Sequence, residues 1–502
     1  MAEPNEPYLG YYPDAELVIA IVCPLGADHT PVVATLADYL TQFGYRTNPL
    51  RLSELFPDLL IKLGRTWDPP EEKAQLAAYK IGCGNQIREL TKTKDVLARI
   101  AASMIADHRA ASSGESAVEE RPDKWKYPLP KTAHIISTLK RPQEVDTLRR
   151  IYGSGFFMIG LSPSKEHRDR YFAQRGINTS AATGLIAQDA AEVLEYGQQT
   201  RETFHLADVF ISTDDYHTEI PRFLDLVFGC PTITPTSEEQ AMFMAYSASL
   251  RSGDLSRQVG AAIVDEYGDL LSVGCNEVPR FGGGLYGPEP GNNRDIARKC
   301  DSNEVEKNKM IAKVLTALGR EDLTPDQARK LLKPTGLPDI TEFGRSVHAE
   351  MDALLAGART ARGGRGATLF TTTFPCHNCC RHILAAGIKR VVYIEPYAKS
   401  KAPDLHGDAI SIDEMVAGKL PFLPFIGVGP RRYFDLFSLR LSTGYAIERK
   451  EDGKLKDWTR HNSSPRLQMQ PTTYLDREAL AWESIKALLS RRNDNATPEA
   501  NT

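Results

Sequence analysis

Three cysteines and two histidines lie within the twelve residues TTTFPCHNCCRH, positions 371–382. Cys376 paired with either Cys379 or Cys380 has a spacing that one metal ion can bridge from a helix. On a helical wheel Cys380 points only about 40° away from Cys376, so geometry alone leaves both partners open. A zinc ribbon needs a second C-x-x-C pair, and the other five cysteines of the chain offer none. A zinc site here therefore requires at least one further ligand from elsewhere in the sequence.

The stretch SVHAEMDALL, residues 346–355, offers that ligand. His348 and Glu350 lie at the start of a predicted amphipathic helix, and Pro375 fits at or just before the first turn of the next predicted helix. Cysteine thiols in that first turn lie near the positive end of a helix dipole, which favours the thiolate form that binds metals. One neutral imidazole and two thiolates would leave the fourth position of a zinc ion to water. H-x-E followed by P-C-x-x-C is the signature of zinc-dependent nucleoside and nucleobase deaminases.

Glu350 is the residue that separates a catalytic zinc site from a structural one. Zinc lowers the pKa of a bound water towards neutrality, which yields a nucleophile able to attack C4 of cytosine. A carboxylate that is not a ligand can take the proton of that water and deliver protons to N3 and to the departing amine. We therefore predict zinc ligation by His348, Cys376 and Cys379 and proton transfer by Glu350. Cys380 is predicted to be a small buried side chain, and the two nearby histidines to be surface or packing residues.

The helices and strands that must carry these residues follow from hydrophobic periodicity. Helices are predicted at 238–251, 346–357 and 376–386, and strands at 259–265, 270–274, 367–372 and 390–394. An insertion at about 277–345 separates the second strand from the second helix. It has helical content of its own, because Thr324 as N-cap, Pro325 at the first helical position and Gln327 two residues later form a complete helix start signal.

A chain of 502 residues is too long for one ordinary core, which favours two or three domains. Residues 16–52 read as strand, turn, helix and strand, and this βαβ opening predicts an α/β fold with a parallel sheet. Further strands are predicted at 132–138, 156–162 and 209–214. Turn residues cluster at 229–239. The first domain is therefore predicted to end at residue 235.

Composition and charge narrow the functional classes. The chain is 41% hydrophobic and 25% charged, as is typical of soluble globular proteins. No apolar run approaches the about 18 residues of a membrane helix, and the amino terminus is too polar for a secretory signal. A net charge of −4 disfavours a long nucleic-acid footprint, which needs a basic face, and leaves small phosphorylated ligands open. We expect a cytoplasmic protein with no membrane partner.

A resemblance to a known family sharpens these expectations. MAYSASLRSGDLSRQVGAAIVDEYGDLLSVGCNEVP, residues 244–279, resembles the opening helix and hairpin of deoxycytidylate deaminases, and FPCHNCCRHILAAGIKRVVYI continues the likeness. Segments such as ELVIAIVCPLG and STLKRPQEVDTLRRIYG are similar to the P-loop, kinase-like domain of bacterial anti-phage dCTP/dCMP deaminases. The resemblance covers most of residues 14–445. It implies a degenerate P-loop kinase-like domain at 1–235, a three-layer α/β/α cytidine-deaminase-like domain at 236–450 and a C-terminal tail at 451–502.

The resemblance also implies an activity, partners and contacts. The activity is zinc-dependent deamination of dCTP, dCMP or both, which drains the deoxycytidine nucleotide pool that a phage needs. The implied partners are free deoxycytidine nucleotides, further copies of the chain in a homo-oligomer, and a regulatory small RNA or nucleotide effector. Asn276 would hydrogen-bond the sugar hydroxyl of the substrate, and Arg251, Ser252 and Lys399 are candidates for contacts with its phosphate.

The first domain departs from the P-loop pattern in CPLGADHT, residues 23–30. Aligned on G-x-x-x-x-G-K-[ST], this stretch has Asp28 at the second glycine and His29 at the lysine, and only Thr30 matches. A phosphate could rest on the helix N-terminus, with Gly26 and Thr30 as candidate contacts, although Asp28 would repel it. We therefore do not expect phosphoryl transfer. A nucleotide sensor, an interaction platform and a degenerate remnant all stay open for this domain.

Two rival functions remain for the whole chain. An enzyme that deaminates cytosine in DNA or RNA would need a basic channel studded with aromatic side chains, and no such pattern is evident. A protein that binds nucleotide or RNA could use the zinc only to stabilise its fold. Glu350 argues against this second rival, because a structural zinc site has no need of a carboxylate so close to its histidine.

Overall fold

A computed structural model of the chain describes residues 11–112, 128–190, 192, 194–340, 342–397 and 400–490. The chain forms two compact units. The first comprises Met1–Pro235 and Ile426–Thr502, and the second comprises Thr236–Phe425. Across the described residues, no helix combines the length and the apolar character that crossing a membrane requires.

The first part of unit 1 alternates strands and helices. Its elements in chain order are β1 (Leu17–Val22), α1 (Thr30–Thr41), β2 (Arg46–Arg51), α2 (Phe56–Lys62), α3 (Lys73–Thr91), α4 (Val96–Ser112), β3 (Thr132–Ser137), α5 (Pro142–Tyr152), β4 (Phe156–Ser162), α6 (Lys165–Gln174), α7 (Thr179–Ala190), α8 (Thr200–Phe204), β5 (Val209–Ser212) and α9 (Tyr216–Val227). The strands predicted from the sequence for this part are confirmed, with ends that differ by at most two residues. β1 and β3 are buried at every position, as expected for inner strands of a sheet covered on both faces.

These five strands run parallel in the order β5-β4-β1-β3-β2. From β1 the chain crosses to the β2 edge, whereas from β4 it continues to β5 on the other side. The direction of the connections therefore changes around β1, and open parallel sheets bind ligands at the carboxyl ends of the strands at such a point. The loop that follows β1 begins with Cys23, so residues 23–30 lie at this position.

Unit 2 is built on a mixed sheet. Its elements are α10 (Ser237–Ser249), β6 (Gly260–Val264), β7 (Leu270–Cys275), α11 (Asp295–Arg298), α12 (Ser302–Ala317), α13 (Pro325–Leu332), α14 (Ala349–Arg359), β8 (Thr368–Thr373), α15 (His377–Ala385), β9 (Arg390–Glu395), α16 (Ala402–His406), β10 (Ile410–Ile412) and β11 (Leu420–Pro424). The described strands lie in the order β10-β11-β9-β8-β6-β7. β6 is antiparallel to both of its neighbours, and the remaining pairs are parallel.

Helices cover both faces of this sheet, and two glycines show it. A Cβ atom on Gly260 would lie 1.9 Å from the carbonyl oxygen of Ala245 in α10, and one on Gly274 would lie 2.3 Å from that of Ala349 in α14. Gly260 and Gly274 belong to consecutive cross-strand pairs of β6 and β7, and consecutive positions of a strand face opposite sides. α10 and α14 therefore lie on opposite faces, and unit 2 has the expected three layers.

The insertion between β7 and α14 contains α11, α12 and α13 and a small apolar cluster of its own. The predicted start of α13 is confirmed. The hydroxyl of Thr324 accepts a hydrogen bond from the Gln327 N–H at 3.3 Å, and the Gln327 side chain accepts one from the Thr324 N–H at 2.9 Å. The two ends of the insertion meet in a bridge between Glu277 and Val347.

After β11 the chain returns to unit 1. The elements there are β12 (Gly427–Val428), α17 (Tyr433–Phe437), β13 (Lys450–Glu451), β14 (Lys454–Leu455) and α18 (Pro471–Ser490), and β12 pairs antiparallel with β5. The sequence-based end of the second domain, residue 450, is therefore wrong: unit 2 ends at Phe425. The predicted tail at 451–502 is wrong as far as it is described, because α18 packs into unit 1. Residues 491–502 lie outside the described residues.

Buried charge explains why this segment looks like a polar tail. Glu478 of α18 accepts a 2.7 Å hydrogen bond from Arg109, and Arg109 also donates to Glu16 at 2.9 Å, with all three side chains fully buried. Tyr474 of α18 donates to Glu16 at 2.6 Å. Buried charges are tolerated when they are paired and hydrogen-bonded in this way. Composition cannot distinguish such residues from solvent-exposed ones.

Candidate active site

The predicted metal ligands meet at the starts of two helices of unit 2. His348 is the N-cap residue of α14, Cys376 is the N-cap residue of α15, and Cys379 lies in the first turn of α15. Cys376 Sγ lies 3.2 Å from His348 Nδ1, and Cys379 Sγ lies 3.4 Å from the same atom. The three ligand atoms all lie within 4.8 Å of one another. α14 begins later than the predicted residue 346, because the backbone of His348 is still extended.

These distances and donor types fit zinc. With Zn–S bonds of about 2.3 Å and Zn–N bonds of about 2.0 Å, the ligands of a tetrahedral ion lie about 3.6 Å apart. One imidazole and two thiols form a set that zinc takes in catalytic sites, where three protein ligands leave one position open. Cys380 is not part of this cluster. It is fully buried in the apolar core of unit 2, as predicted.

Electrostatics inside the cluster prepares one sulfur for a metal. The hydrogen bond with Cys379 and the nearby His348 imidazole lower the pKa of Cys376 to about 4. The same hydrogen bond, together with burial, raises the pKa of Cys379. The hydrogen bond with Cys376 raises the pKa of His348 to about 9. The cluster thus contains a thiolate at neutral pH, and binding of a divalent cation there would release the remaining protons.

Glu350 lies in the first turn of α14, and its side chain is buried beside the cluster. The thiol of Cys379 donates a 3.3 Å hydrogen bond to Glu350 Oε2. Burial raises the pKa of the Glu350 carboxyl. The structure therefore holds a carboxyl group within hydrogen-bonding distance of a metal-binding set to which it does not belong.

His348, Cys376 and Glu350 line a cavity of about 280 Å³. Phe374 and Tyr397 give part of its wall an aromatic character. The insertion supplies another part of the wall, through residues near α11, near the start of α12 and at 344–345. The insertion is therefore part of the site. The remaining lining residues are Asp254, Leu255, Ser256, Arg257, Val259, Asn276, Asp295, Asp301, Asn303, Gly344, Arg345, Ser346, Ala349 and Thr373.

The predicted substrate contacts have different positions. Asn276 lines the cavity, and its side chain is held in place because it accepts a 2.8 Å hydrogen bond from the Val259 N–H and donates one of 2.8 Å to the Arg257 carbonyl. Ser252 is buried and donates to the Asn276 carbonyl at 2.7 Å. Neither Ser252 nor the exposed Arg251 lines this cavity. Lys399 lies outside the described residues.

Sequence analysis missed Arg257 and Arg345, which both line the cavity. Arg257 belongs to the loop before β6, and Arg345 lies three residues before His348 at the end of the insertion. For Arg345, the short distance in sequence from the H-x-E motif was the one signal that could have marked it as a cavity residue. No periodic pattern marks either residue.

The loop at residues 23–30 of unit 1 is a second candidate site. Gly26 has a φ of +100°, and a Cβ atom there would lie 3.0 Å from the Phe172 ring. Thr30 begins α1; its N–H donates to Asp28 at 3.0 Å, and its hydroxyl accepts from Arg51 at 3.1 Å. The N–H and hydroxyl of Thr30 are therefore already engaged within the chain, whereas Gly26 provides a positive φ beside the Phe172 ring.

Lys140, which follows β3, places a lysine side chain at this loop, where the P-loop motif has its own lysine and this chain has His29. It donates to the Cys23 carbonyl at 2.8 Å and to Asp189 at 2.7 Å. The other carboxylate oxygen of Asp189 accepts a 2.8 Å hydrogen bond from the Leu25 N–H. The buried carboxylate of Asp189 thus binds both Lys140 and the Leu25 N–H of the loop. Unit 1 is an α/β unit whose sheet is parallel except for β12, and its likeness to P-loop kinases stays a prediction.

Comparison with known proteins bears on unit 2. Residues 235–395 match the family described as the cytidine and deoxycytidylate deaminase zinc-binding region. This range includes His348, Glu350, Cys376 and Cys379.

Two relatives illustrate the likeness. Deoxycytidylate deaminase of Enterobacteria phage T2 is 44% identical over 55 residues, which cover 11% of this chain and 29% of that protein. ComE operon protein 2 of Bacillus subtilis (strain 168) is 35% identical over 79 residues, which cover 14% of this chain and 42% of that protein. The chain thus spans less than half the length of either relative.

Among solved structures, the dCMP deaminase from the cyanophage S-TIM5 in complex with dCMP and dUMP aligns with 39% of this chain and 100% of its own, at 20% identity and a TM-score of 0.23. Together, the family match and the His348, Cys376 and Cys379 cluster confirm the predicted zinc cofactor. Residues 235–395 are thus similar to the zinc-binding region of cytidine and deoxycytidylate deaminases.

Proposed function

We propose that this chain hydrolyses the 4-amino group of deoxycytidine nucleotides and releases ammonia and the uracil nucleotide. The observation that carries the proposal is the buried Glu350 carboxyl, 3.3 Å from one thiol of the His348, Cys376 and Cys379 set and on the wall of the cavity. Relatives described as deoxycytidylate deaminases support it.

Each residue of the site has a role in this proposal. His348, Cys376 and Cys379 hold zinc, which when bound lowers the pKa of a water molecule towards neutrality. Glu350 takes a proton from the attacking water and delivers it to N3 of the base, and then transfers the second proton of the same oxygen to the departing amine as the C4 carbonyl forms. Because Glu350 is itself not a ligand, its carboxyl stays available for both transfers.

The walls of the cavity support the same reaction. Burial leaves only 4% of Glu350 exposed, so bulk water has little access to the group that transfers the protons. Phe374 and Tyr397 present aromatic surface to a planar base. Asn276, held by two hydrogen bonds to the backbone, would position the sugar hydroxyl.

The finer part of the proposal comes from the sequence resemblance. It includes dCTP beside dCMP as substrate, and depletion of the deoxycytidine nucleotide pool as an antiviral defence. It also includes a homo-oligomer and control by a small RNA or a nucleotide effector through the P-loop-like unit.

Turnover assays test the proposal. The zinc-loaded full chain is incubated with deoxycytidine, dCMP, dCTP, CTP and a cytosine-bearing oligonucleotide, and uracil and ammonia are followed. Glu350→Gln should lower turnover of the preferred nucleotide by about 10³-fold while the zinc content stays near one ion per chain. Glu321→Gln, at an exposed position of the insertion, is the matched control and should keep full activity.

Two results would contradict the proposal. Turnover that survives Glu350→Gln would remove the assigned proton transfer. Product from the oligonucleotide, with none from dCMP or dCTP, would favour an enzyme that acts on cytosine in DNA or RNA.

A further inference from the structure

Two arginines are the cationic side chains, other than His348, among the described residues that line the cavity. Arg257 comes from the loop before β6, and Arg345 comes from the insertion. A substrate that carries a phosphate needs a cation at the site, and guanidinium groups bind phosphate oxygens through paired N–H donors. The predicted phosphate contacts Arg251 and Ser252 do not line the cavity, so this task is unassigned among the described residues.

Arg345 is anchored for such a role. Its guanidinium donates to Asp295 at 2.7 Å and to the Asn293 carbonyl at 3.1 Å. Its side chain is 28% exposed, whereas that of Asp295 is 11% exposed. The two bonds use two of five N–H donors and fix the orientation of the planar group. A preoriented guanidinium loses little conformational freedom when it binds an anion.

The backbone around Arg345 is also held. Asn303 accepts a 3.3 Å hydrogen bond from the Phe343 N–H, and Val347 exchanges two with Glu277, at 3.0 and 3.2 Å. Ser346 donates to Asp254 at 3.1 Å. These contacts tie the last residues of the insertion to the start of α12, to Glu277 after β7 and to Asp254. The position of Arg345 therefore follows from the fold of unit 2.

Arg257 is the less constrained of the two cations. It donates to Glu395 at 2.9 Å and lies over the Tyr397 ring at 5.7 Å, but its side chain is 53% exposed. This residue can contribute charge to the mouth of the cavity, with less geometric selectivity than Arg345.

Carboxylates around the two arginines limit how much negative charge the cavity accepts. Asp254, Asp295 and Asp301 also line it, so carboxylates outnumber the arginines there. Asp254 and Asp301 accept backbone N–H groups, which fixes both in place. The two arginines can neutralise the negative charge of a monoester phosphate. The additional negative charge of a triphosphate would be repelled by the three carboxylates. The volume of about 280 Å³ is also at the small end for ligand pockets.

We propose that Arg345, presented by the insertion and anchored on Asp295, binds the 5′-phosphate of the substrate with help from Arg257, and that the surrounding carboxylates make a nucleoside monophosphate the preferred ligand. This inference rests on the proposed deamination of deoxycytidine nucleotides at the same site. It makes the insertion a determinant of specificity, and it gives Arg345 a positioning role rather than a chemical one.

Binding of the product tests the inference without turnover. Calorimetry compares dUMP with deoxyuridine on the zinc-loaded full chain, for the wild type, Arg345→Ala and Arg345→Lys. Arg345→Ala should weaken dUMP binding by about 10- to 100-fold and leave deoxyuridine binding within about twofold. Arg345→Lys should lie between, because it keeps the charge and loses the paired donors. Arg320→Ala removes an exposed arginine of the same insertion, paired with Asp322, and should change neither affinity.

Kinetics provides the second measurement. Arg345→Ala should raise the KM for dCMP by a similar factor while kcat/KM for deoxycytidine stays unchanged. The wild type should use dCMP with a higher kcat/KM than dCTP.

Several outcomes overturn the inference. In Arg345→Ala, an equal loss of affinity for dUMP and deoxyuridine would mark a structural role, and an unchanged affinity for dUMP would remove the phosphate contact. A wild type with a higher kcat/KM for dCTP than for dCMP, or one that binds neither dUMP nor deoxyuridine, also overturns the inference. The failure of the proposed function looks different: dUMP binding that depends on Arg345, with no deamination of dCMP, would leave the phosphate site in place and remove the reaction. Deamination of dCMP that is indifferent to Arg345 would remove only the inference.

Discussion

Each unit has a cluster of polar groups at the start of a helix, and the two clusters differ in what their groups bind. In unit 2, the Cys376 and Cys379 sulfurs contact His348, and Cys379 also donates to Glu350, beside a cavity. In unit 1, the loop after β1 and Lys140 bind the carboxylate of Asp189, which belongs to the chain itself. A helix start can serve a ligand when the fold leaves its groups facing open space. It becomes a structural contact when a neighbouring helix supplies the counter-charge.

The cost of burial explains why the unit 1 cluster is closed. A largely buried lysine is unfavourable unless a partner compensates its charge, and Asp189 supplies that partner. In the unit 2 cluster the charged partners are the metal ligands themselves, because the Cys376 thiolate lies beside the His348 imidazole, and a cation can take the place of their protons. Substitutions in the two clusters should therefore have different consequences.

Adjacent cysteines on α15 give the largest expected effect. Cys379→Ala should abolish zinc binding and deamination, because it removes one of three metal ligands. Cys380→Ala, one position further, removes a buried thiol from the apolar core and should keep one zinc ion per chain with only a modest loss of stability. Metal analysis and turnover of both variants check this. Equal zinc loss in the two variants would contradict the assignment of Cys379 as the ligand.

Substitution of Lys140 tests how much the pair with Asp189 stabilises unit 1. Lys140→Met leaves Asp189 buried without its cation and should destabilise unit 1 by about 3–5 kcal/mol in urea unfolding. The double variant Lys140→Met/Asp189→Asn removes both charges and should recover much of that loss. Lys131→Met is the matched control, because Lys131 forms only a loose pair with Asp14 at 3.9 Å and should cost at most about 1 kcal/mol.

Zinc content adds a second measurement to the same experiment. It should be unchanged in all three lysine variants, since the cluster at Cys379 lies in the other unit. A small cost for Lys140→Met would mean that the pair with Asp189 stabilises little.

Glu219 gives the smallest expected effect and extends the comparison to the carboxyl end of β5. Burial raises the pKa of Glu219 to about 7, from a usual value of 4.5, although its carboxylate accepts a 2.7 Å hydrogen bond from the Ser212 N–H. The folded state therefore binds more protons than the unfolded state between these two values. The contribution of Glu219 to stability is present at low pH and is lost as the pH rises from about 4.5 to about 7.

Unfolding measured across that window checks the prediction. Glu219→Gln should flatten the decline of stability between pH 5 and pH 7, whereas Glu166→Gln, at an exposed position of α6, should leave it as it is. Parallel curves for the wild type and Glu219→Gln would show that this carboxyl titrates alike in both states.

Much of the fold was predictable where local signals agree. β1 is a continuous apolar run, and the start of α13 carries its capping residues, so the positions of both follow from short stretches of sequence. Placement of α18 was not predictable, because Glu478 is buried through a pair with Arg109, far away in the chain. The same holds for Lys140, which reaches the loop at residues 23–30 from the end of another strand.

The sequence by itself determined the chemistry of the candidate site. The types and spacing of His348, Glu350, Cys376 and Cys379 indicate a metal set with a nearby carboxyl, because ligand chemistry depends on residue identity and on local helix geometry. Only the tertiary structure decided which cations line the cavity and which helix start is closed by a carboxylate. Arg345 and Asp189 act through contacts between segments distant in the chain, and such contacts leave no periodic trace in the sequence.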